Sequence, residues 1–367
     1  MTGMPVALVT GGAGFIGTNL AHQLSLTGRE VIVFDNLSRK GVHDNLAWLM
    51  SQRPGRVSAV IGDVRDARTL RSAVERADEV YHLAAQVAVT TSLEDPREDF
   101  EVNAGGTLNL LEALRGRSDP PPLIYTSTNK VYGALPDLTL AKNESRYVPT
   151  DPAVRSLGIS EHRPLDFHSP YGCSKGCADQ YVLDHARTYG IRAAVFRMSC
   201  IYGPHQHGNE DQGWVAHFLL RALERSPLTV FGDGLQVRDV LYVDDLVAAL
   251  ALAMQHIDTL SGQAFNIGGG AANTLSLVEL IAYLAQHGES APVVRHGAER
   301  TGDQKYYVSD TTKFCSATGW HPRVDVAEGL ARLNAWLADA GRVAQRAPTT
   351  IAEGTAAAAR AAIGAAR

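Results

Sequence analysis

Tyr171 and Lys175 stand four residues apart in the run SPYGCSKG. On a helix that spacing sets a phenol and an ammonium on one face, and a nearby cation favours phenolate over phenol. An unperturbed tyrosine, with a pKa of about 10, is roughly 0.1% ionised at neutral pH. Pulling a proton from a hydroxyl therefore needs Lys175 and a second positive charge, which an oxidised nicotinamide supplies. Upstream, Gly11-Gly12-Ala13-Gly14-Phe15-Ile16-Gly17 satisfies GxGxxG through Gly12, Gly14 and Gly17, and GxxGxxG through Gly11, Gly14 and Gly17. A glycine-rich turn followed by a Tyr–Lys pair is the equipment of an enzyme that moves hydride.

The elements around these residues give the context they need. The apolar run Val6-Ala7-Leu8-Val9-Thr10 predicts a buried parallel strand, and the stretch from Phe15 to Leu26 predicts a helix. Glycines between them permit a tight turn and close approach of backbone to pyrophosphate, with the phosphates at the helix N-terminus. A second strand, from Glu30 to Phe34, ends at Asp35, where an acidic side chain accepts hydrogen bonds from an adenosine ribose. That favours NAD over NADP; Arg39 and Lys40 follow closely and keep a 2'-phosphate open as an alternative.

Strand signals continue at 56–61, 80–83, 123–127 and 192–197, with helical patterns at 66–76, 94–115 and 169–189. The alternation predicts an α/β fold, a doubly wound parallel sheet of the Rossmann type. Ligands in such sheets sit at the carboxyl ends of the strands. Here those ends read Asp63-Val64, Leu83-Ala84-Ala85-Gln86 and Ser127-Thr128. Beyond residue 198 the alternation weakens, so a smaller, partly interleaved substrate-binding region is expected. The division is a cofactor domain over 1–198 with a return segment at 233–265, substrate-binding segments at 199–232 and 266–339, and an Ala-rich tail at 340–367.

Composition removes several function classes. The chain has 367 residues, 45% hydrophobic and 20% charged, with a formal net charge of −5. The scattered basic residues offer no continuous positive stripe for nucleic acid or an anionic membrane, and no apolar run approaches the roughly 18 residues that span a bilayer. A cytoplasmic location is expected. Four cysteines do not suggest a disulfide framework, and Cys173 and Cys177 read as reduced packing residues. His205 and His207, in PHQHG, are a weak metal pair that hydride chemistry does not need, so no metal is expected.

The fingerprint, Asp35, Asp63, the run Ser127-Thr128-Asn129-Lys130-Val131-Tyr132-Gly133 and the Tyr171/Lys175 pair resemble the extended short-chain dehydrogenase/reductase family of nucleotide-sugar enzymes over about residues 5–338. More narrowly, FDNLSRKG, QVAVTTS, STNKVYG, LDFHSPYGCSKG and DQGWV are similar to the branch of CDP-tyvelose (CDP-paratose) 2-epimerases. The resemblance implies a catalytic triad of Thr128, Tyr171 and Lys175. It places Gly11, Gly14, Phe15, Ile16, Gly17, Asp35, Asn36, Asp63, Val64, Leu83, Ala84, Ala85 and Asn103 around NAD. On the substrate side it implies Gln86, Asn129, Ser199, Asp211, Gln212, Arg238, Arg300 and Asp303, the arginines as grips for a diphosphate. A guanidinium, a planar fork that keeps its charge, suits that task. Local ion pairs Arg238/Asp239 and Arg300/Asp303 are the structural alternative.

In this family's implied chemistry, Thr128 hydrogen-bonds the reacting hydroxyl, Tyr171 takes and returns the proton, and Lys175 holds the nicotinamide ribose while lowering the tyrosine pKa. Related dehydratases carry an Asp-Glu pair directly after the threonine; Asn129 and Lys130 stand there instead, which disfavours elimination. The expectation is an NAD-dependent 2-epimerase of a CDP-linked deoxyhexose. The alternatives are a 4-epimerase with the same triad, or a non-catalytic NAD-binding regulatory protein. Met198 and His205, beside the presumed sugar pocket, depart from the 2-epimerase pattern and bear on which sugar fits. The helices at 94–115 and 170–189 carry surplus apolar faces, and relatives pair through these helices, so a homodimer or homotetramer is expected.

Overall fold

The computed structural model describes residues 4–288, 292–300 and 303–346; the expected tail beyond 346 lies outside the described residues. Seven parallel strands form the central sheet in the order Gln263–Ile267, Ala193–Met198, Leu123–Thr128, Glu79–His82, Val6–Thr10, Glu30–Asp35, Val57–Ile61. The two chain directions of winding meet between Val6–Thr10 and Glu79–His82, which pair in register from Ala7↔Glu79 to Thr10↔His82. That junction is where a crevice opens at the carboxyl edge of such a sheet. Helices cover both faces, so the strands are rich in apolar residues on both sides, and Ala7, Leu8, Val9, Val80, Tyr81, Ile124 and Val195 are fully buried.

The turn from the first strand into the helix Phe15–Leu26 needs its glycines for two separate reasons. Gly11 adopts φ +67°, and a Cβ there would lie 2.7 Å from the backbone nitrogen of Ala84. Gly17 is a packing glycine: a Cβ would lie 2.6 Å from Gly12 Cα, so the helix rests directly on the turn. Leu20, Ala21 and Leu24 then bury the helix against the sheet.

The expected helix at 94–115 is several pieces. Val89–Glu94 is followed by Asp95, whose carboxylate accepts the Glu98 N–H at 2.9 Å and starts Pro96–Phe100. A single π turn, Glu101–Gly105, leads into Gly106–Arg115. Hydrophobic periodicity carries through all of these pieces, and a wide turn leaves no signal in it. The helix Ser169–Tyr189 is one unbroken element.

A second layer holds the remaining strands. Val237–Tyr242 is wholly buried and pairs with Thr274–Ser276 on one side, and with Cys200–Tyr202 and Tyr306–Tyr307 on the other. It belongs to this small sheet and not to the return into the large one. The return begins with the helix Val243–Gln255, which packs on Phe15–Leu26, and ends with Gln263–Ile267 on the sheet edge, shifting the expected segment from 233–265 to 243–267. A strand buried on both faces looks the same in sequence whichever sheet it joins. Val215, Phe218, Leu219, Tyr242, Leu280, Leu330 and Leu333 form the core of this smaller layer.

Candidate active site

The strand Leu123–Thr128 delivers Thr128 to the carboxyl edge of the sheet, and the helix Ser169–Tyr189 runs past it with Tyr171 in its first turn. The Thr128 side chain faces the phenol of Tyr171 and favours its ionised form. Thr128 also caps the short helix Asn129–Tyr132, its hydroxyl accepting the Lys130 N–H at 3.2 Å. One turn along, the Lys175 ammonium is buried beneath the pair. It donates to the Thr126 carbonyl at 2.7 Å and lies 4.4 Å from the centre of the Tyr125 ring.

Electrostatics here run against one expectation. Burial pushes the Tyr171 phenol up to about 12, with the charge of Asp99 adding to the rise, over the opposing influence of Thr128 and of the Arg39 charge. Burial likewise pulls Lys175 down to about 7, with Asp179 and Asp99 resisting. An apolar surrounding penalises both charged forms, and the lysine's own hydrogen bond points at a carbonyl instead of the phenol. Proton abstraction by Tyr171 therefore needs a cation beyond Lys175.

The cofactor-side residues line the same edge. The helix Phe15–Leu26 starts at Gly14 with no side-chain cap and no acidic residue in its first turn, leaving free N–H groups and a positive dipole end for an anion. Asp35 accepts the N–H groups of Ala13 at 3.1 Å and Leu37 at 2.9 Å, and burial raises its carboxyl above the usual carboxylate range. Asp63 is held by Arg65 Nη2 at 2.8 Å and Asn36 Nδ2 at 3.0 Å, which keep it well below that range. Asn103, on the π turn, accepts the Gln86 N–H at 2.9 Å and donates to the Gln86 carbonyl at 3.1 Å, fixing the Leu83–Gln86 loop. This arrangement fits a dinucleotide: an uncapped helix end, a carboxylate past the second strand, and backbone packed too tightly at Gly11 for any side chain.

The substrate-side residues fall into two groups. Arg238 Nη2 meets Asp303 at 2.7 Å, and Lys130 Nζ lies 3.5 Å from the same carboxylate, giving two cations for one anion. Arg300 sits 3.9 Å from the centre of the Phe231 ring and 3.4 Å from Asp211. Neither arginine pairs with its sequence neighbour: Asp239 is turned away, buried against Ser199 and the Gly270 N–H at 3.1 Å. Ser199 is accordingly spent on Asp239. Asn129 donates to Gln304 at 3.3 Å, and Gln304 in turn to the Gly133 carbonyl at 2.6 Å. Gln86 closes a local turn with Ala88.

Arg39, read from sequence only as a possible phosphate binder, is hydrogen-bonded to Gln212 and acts electrostatically on both Asp35 and Tyr171. It joins the cofactor edge to the Asp211–Gln212 loop. His205 is buried between Trp48 and Trp336, with ring centroids 4.1 Å and 5.4 Å away. Among the described residues no group of His, Cys, Asp and Glu is placed to hold a metal ion, and no helix is long and apolar enough to cross a membrane.

The chain matches the NAD-dependent epimerase/dehydratase family model over residues 7–268. It is 44% identical over 336 residues to CDP-paratose 2-epimerase of Salmonella typhi, covering 90% of this chain and 98% of that protein. It is 34% identical to a dTDP-glucose 4,6-dehydratase of Streptomyces antibioticus, covering 90% and 92% of the two chains. Among solved structures it is similar to UDP-glucose 4-epimerase of Thermus thermophilus in complex with NAD, with a TM-score of 0.75 and 32% identity over 91% of this chain and 99% of that one.

Proposed function

The chain belongs to the NAD-dependent epimerase/dehydratase family, and from that premise we propose that it inverts C2 of a CDP-linked deoxyhexose through a transient 2-keto sugar. The observation that carries this reading is the buried Thr128–Tyr171 pair above a buried Lys175, with no carboxylate at position 129 or 130. An oxidise-and-return epimerisation needs one proton carrier and no second acid. Elimination of water needs the acid and base that are missing here. The choice of C2 and of cytidine rests on the 44% identity to a CDP-paratose 2-epimerase.

NAD would lie with its diphosphate on the N–H groups of Gly14, Phe15 and Ile16, its adenosine ribose on Asp35, its adenine by Asn36, Asp63 and Val64, and its nicotinamide end by Ala84, Ala85, Asn103 and Lys175. When bound, it would supply the hydride acceptor and donor for the sugar carbon, and its oxidised ring the second cation that Tyr171 needs. Tyr171 accepts the hydroxyl proton and later gives it back. Thr128 holds the same oxygen, alcohol or carbonyl, against the phenol. Arg238 and Arg300 grip the diphosphate while the sugar turns over about its phosphate linkage. Asp211 and Gln212 close over the ligand, and Gln86 and Asn129 face the sugar; Ser199 acts indirectly, by fixing Asp239 beneath Arg238. The cofactor layer comprises 1–198 with 243–267, and the substrate layer the segments between and after them.

We further propose assembly through the helices at 89–115 and 169–189, where Leu93, Phe100, Tyr181 and Tyr189 are each about half exposed. A 4-epimerase remains the reading to exclude, because relatives at 31–32% identity act at C4 by name and the triad does not select the ring carbon. Incubating the protein with CDP-, UDP- and dTDP-linked hexoses and deoxyhexoses, and reading stereochemistry by NMR, decides it. Inversion at C2 of a CDP-deoxyhexose is expected. Inversion at C4, or water elimination, replaces the proposal.

A further inference from the structure

Lys175 is buried with its charge facing a carbonyl, an aromatic ring and few counter-ions, so what keeps it charged matters to any use of Tyr171. Two carboxylates act on it, Asp179 on its own helix and Asp99 on Pro96–Phe100. Asp179 is already matched: Arg197 closes a two-pronged ion pair on it, with Nε and Nη2 each at 2.9 Å, fully buried. Asp99 is different. It is fully buried, and among the described residues no arginine or lysine forms an ion pair with it. Its partners are neutral: Ser174 Oγ donates at 2.5 Å and Asn103 Nδ2 at 3.1 Å. A buried carboxylate with only neutral partners carries an unspent charge, and Lys175, the residue after Ser174 on the same helix, is the cation that acts on it.

The same hydrogen bonds make Asp99 a junction. Ser174 lies beside Lys175 on the Tyr171 helix and also receives Asn103 Nδ2 at 3.0 Å. Asn103 in turn grips Gln86, and the π turn at 101–105 is what aims it at both elements. We propose that Asp99 is a positioning residue of the catalytic centre: it supplies the counter-charge for the Lys175 ammonium and, through Ser174 and Asn103, fastens the Tyr171 helix to the Gln86 loop.

This proposal rests on the reading of Tyr171 and Lys175 as the proton-transfer pair, but its test does not need the substrate. The groups facing Lys175 are Tyr171 and Asp179 on its own helix, Arg197 behind Asp179, Tyr125 and the Thr126 carbonyl on one strand, His82 on the next, and Asp99. Burial and the charge of Lys175 hold His82 neutral, at about 3, so it does not compensate the ammonium. Burial raises the Asp99 carboxyl, and Ser174 and Lys175 pull it back. Removing an opposite charge from within about 4–6 Å lowers a lysine's titration midpoint by about one pH unit or more.

The experiment labels the NAD-saturated protein with [6-13C]lysine and follows the Lys175 resonance, assigned by its loss in Lys175→Met, against pH. Asp99→Asn keeps the shape and removes the charge. The Lys175 midpoint is expected to fall by about one pH unit or more, and the alkaline limb of the turnover profile to fall with it. Ser174→Ala and Asp99→Glu keep the charge and are expected to hold the midpoint while slowing turnover. An unmoved midpoint in Asp99→Asn overturns the proposal; so does a Ser174→Ala or Asp99→Glu midpoint that drops by a similar amount, should Asp99→Asn not fold. A fast Tyr171→Phe variant would instead remove the function reading and leave the titration result standing.

Discussion

Replacing Gly17 with alanine tests the cofactor cradle with one methyl group. The added Cβ would meet Gly12 Cα at 2.6 Å and Gly12 C at 2.9 Å, and it would press on the Gly11 carbonyl oxygen as well. All three atoms are backbone, so no side chain can swing aside. The first distance is about 1 Å short of the roughly 3.5–4.0 Å optimum for carbon atoms, and the helix must lift from the turn. Overpacking of this kind costs about 1–3 kcal/mol, and Gly17 is helical, so alanine recovers up to about 1 kcal/mol of helix propensity. The net cost is then about 0–3 kcal/mol, with a middle value near 1.5, divided between the fold and the phosphate site. Because the lifted element is the helix end that faces the diphosphate, an even division has NAD affinity falling about threefold and the melting midpoint by about 1–2 degrees. Gly14→Ala is the control. Its Cβ approaches only the Gly11 oxygen, at 3.1 Å, so its affinity loss is smaller. Calorimetric titration with NAD and thermal melts read both quantities. A Gly17→Ala protein with unchanged affinity and melting midpoint refutes this account of the turn.

Because burial raises the Asp35 carboxyl, its charge is lost at a higher pH than an exposed aspartate's; NAD affinity should decline as pH falls through that value, and Asp35→Asn should bind weakly with a flattened pH dependence in titrations from about pH 4 to 8. Arg238→Gln leaves Lys130 and Asp303 as a matched pair and removes a diphosphate grip, so KM is expected to rise about tenfold or more with a smaller change in kcat. Tyr189→Asp, at a half-exposed position about four helical turns beyond Lys175, is expected to shift the protein to monomers in light scattering while NAD affinity stays unchanged; a persistent oligomer points to another interface.

Much of the site is legible in the sequence because its parts are backbone-driven. A glycine turn between an apolar strand and a helix, and a tyrosine–lysine pair in helical register, have local signals. Strands such as Val6–Thr10 are readable because both faces are buried, which forces a continuous apolar run. What is hidden depends on pairing across distance. Arg238 finds Asp303 and not Asp239, since the strand alternation sends neighbouring side chains to opposite faces. The break at Asp95 and the π turn leave the hydrophobic pattern unchanged, yet that turn is what brings Asn103 and Asp99 to Ser174. The direction of the Tyr171 shift was also out of reach, because it follows from how completely the pocket is closed and from the carbonyl that Lys175 selects.

The central claim is that the inverted carbon keeps its own hydrogen, which separates transient oxidation from deprotonation beside a carbonyl. The most direct measurement is turnover of CDP-deoxyhexose carrying ordinary hydrogen at C2 in heavy water, followed by NMR of the product. The account predicts inverted product with no deuterium at C2, and a Tyr171→Phe variant that keeps NAD but loses most turnover. Substantial solvent deuterium at C2, or a Tyr171→Phe variant near full rate, would contradict it.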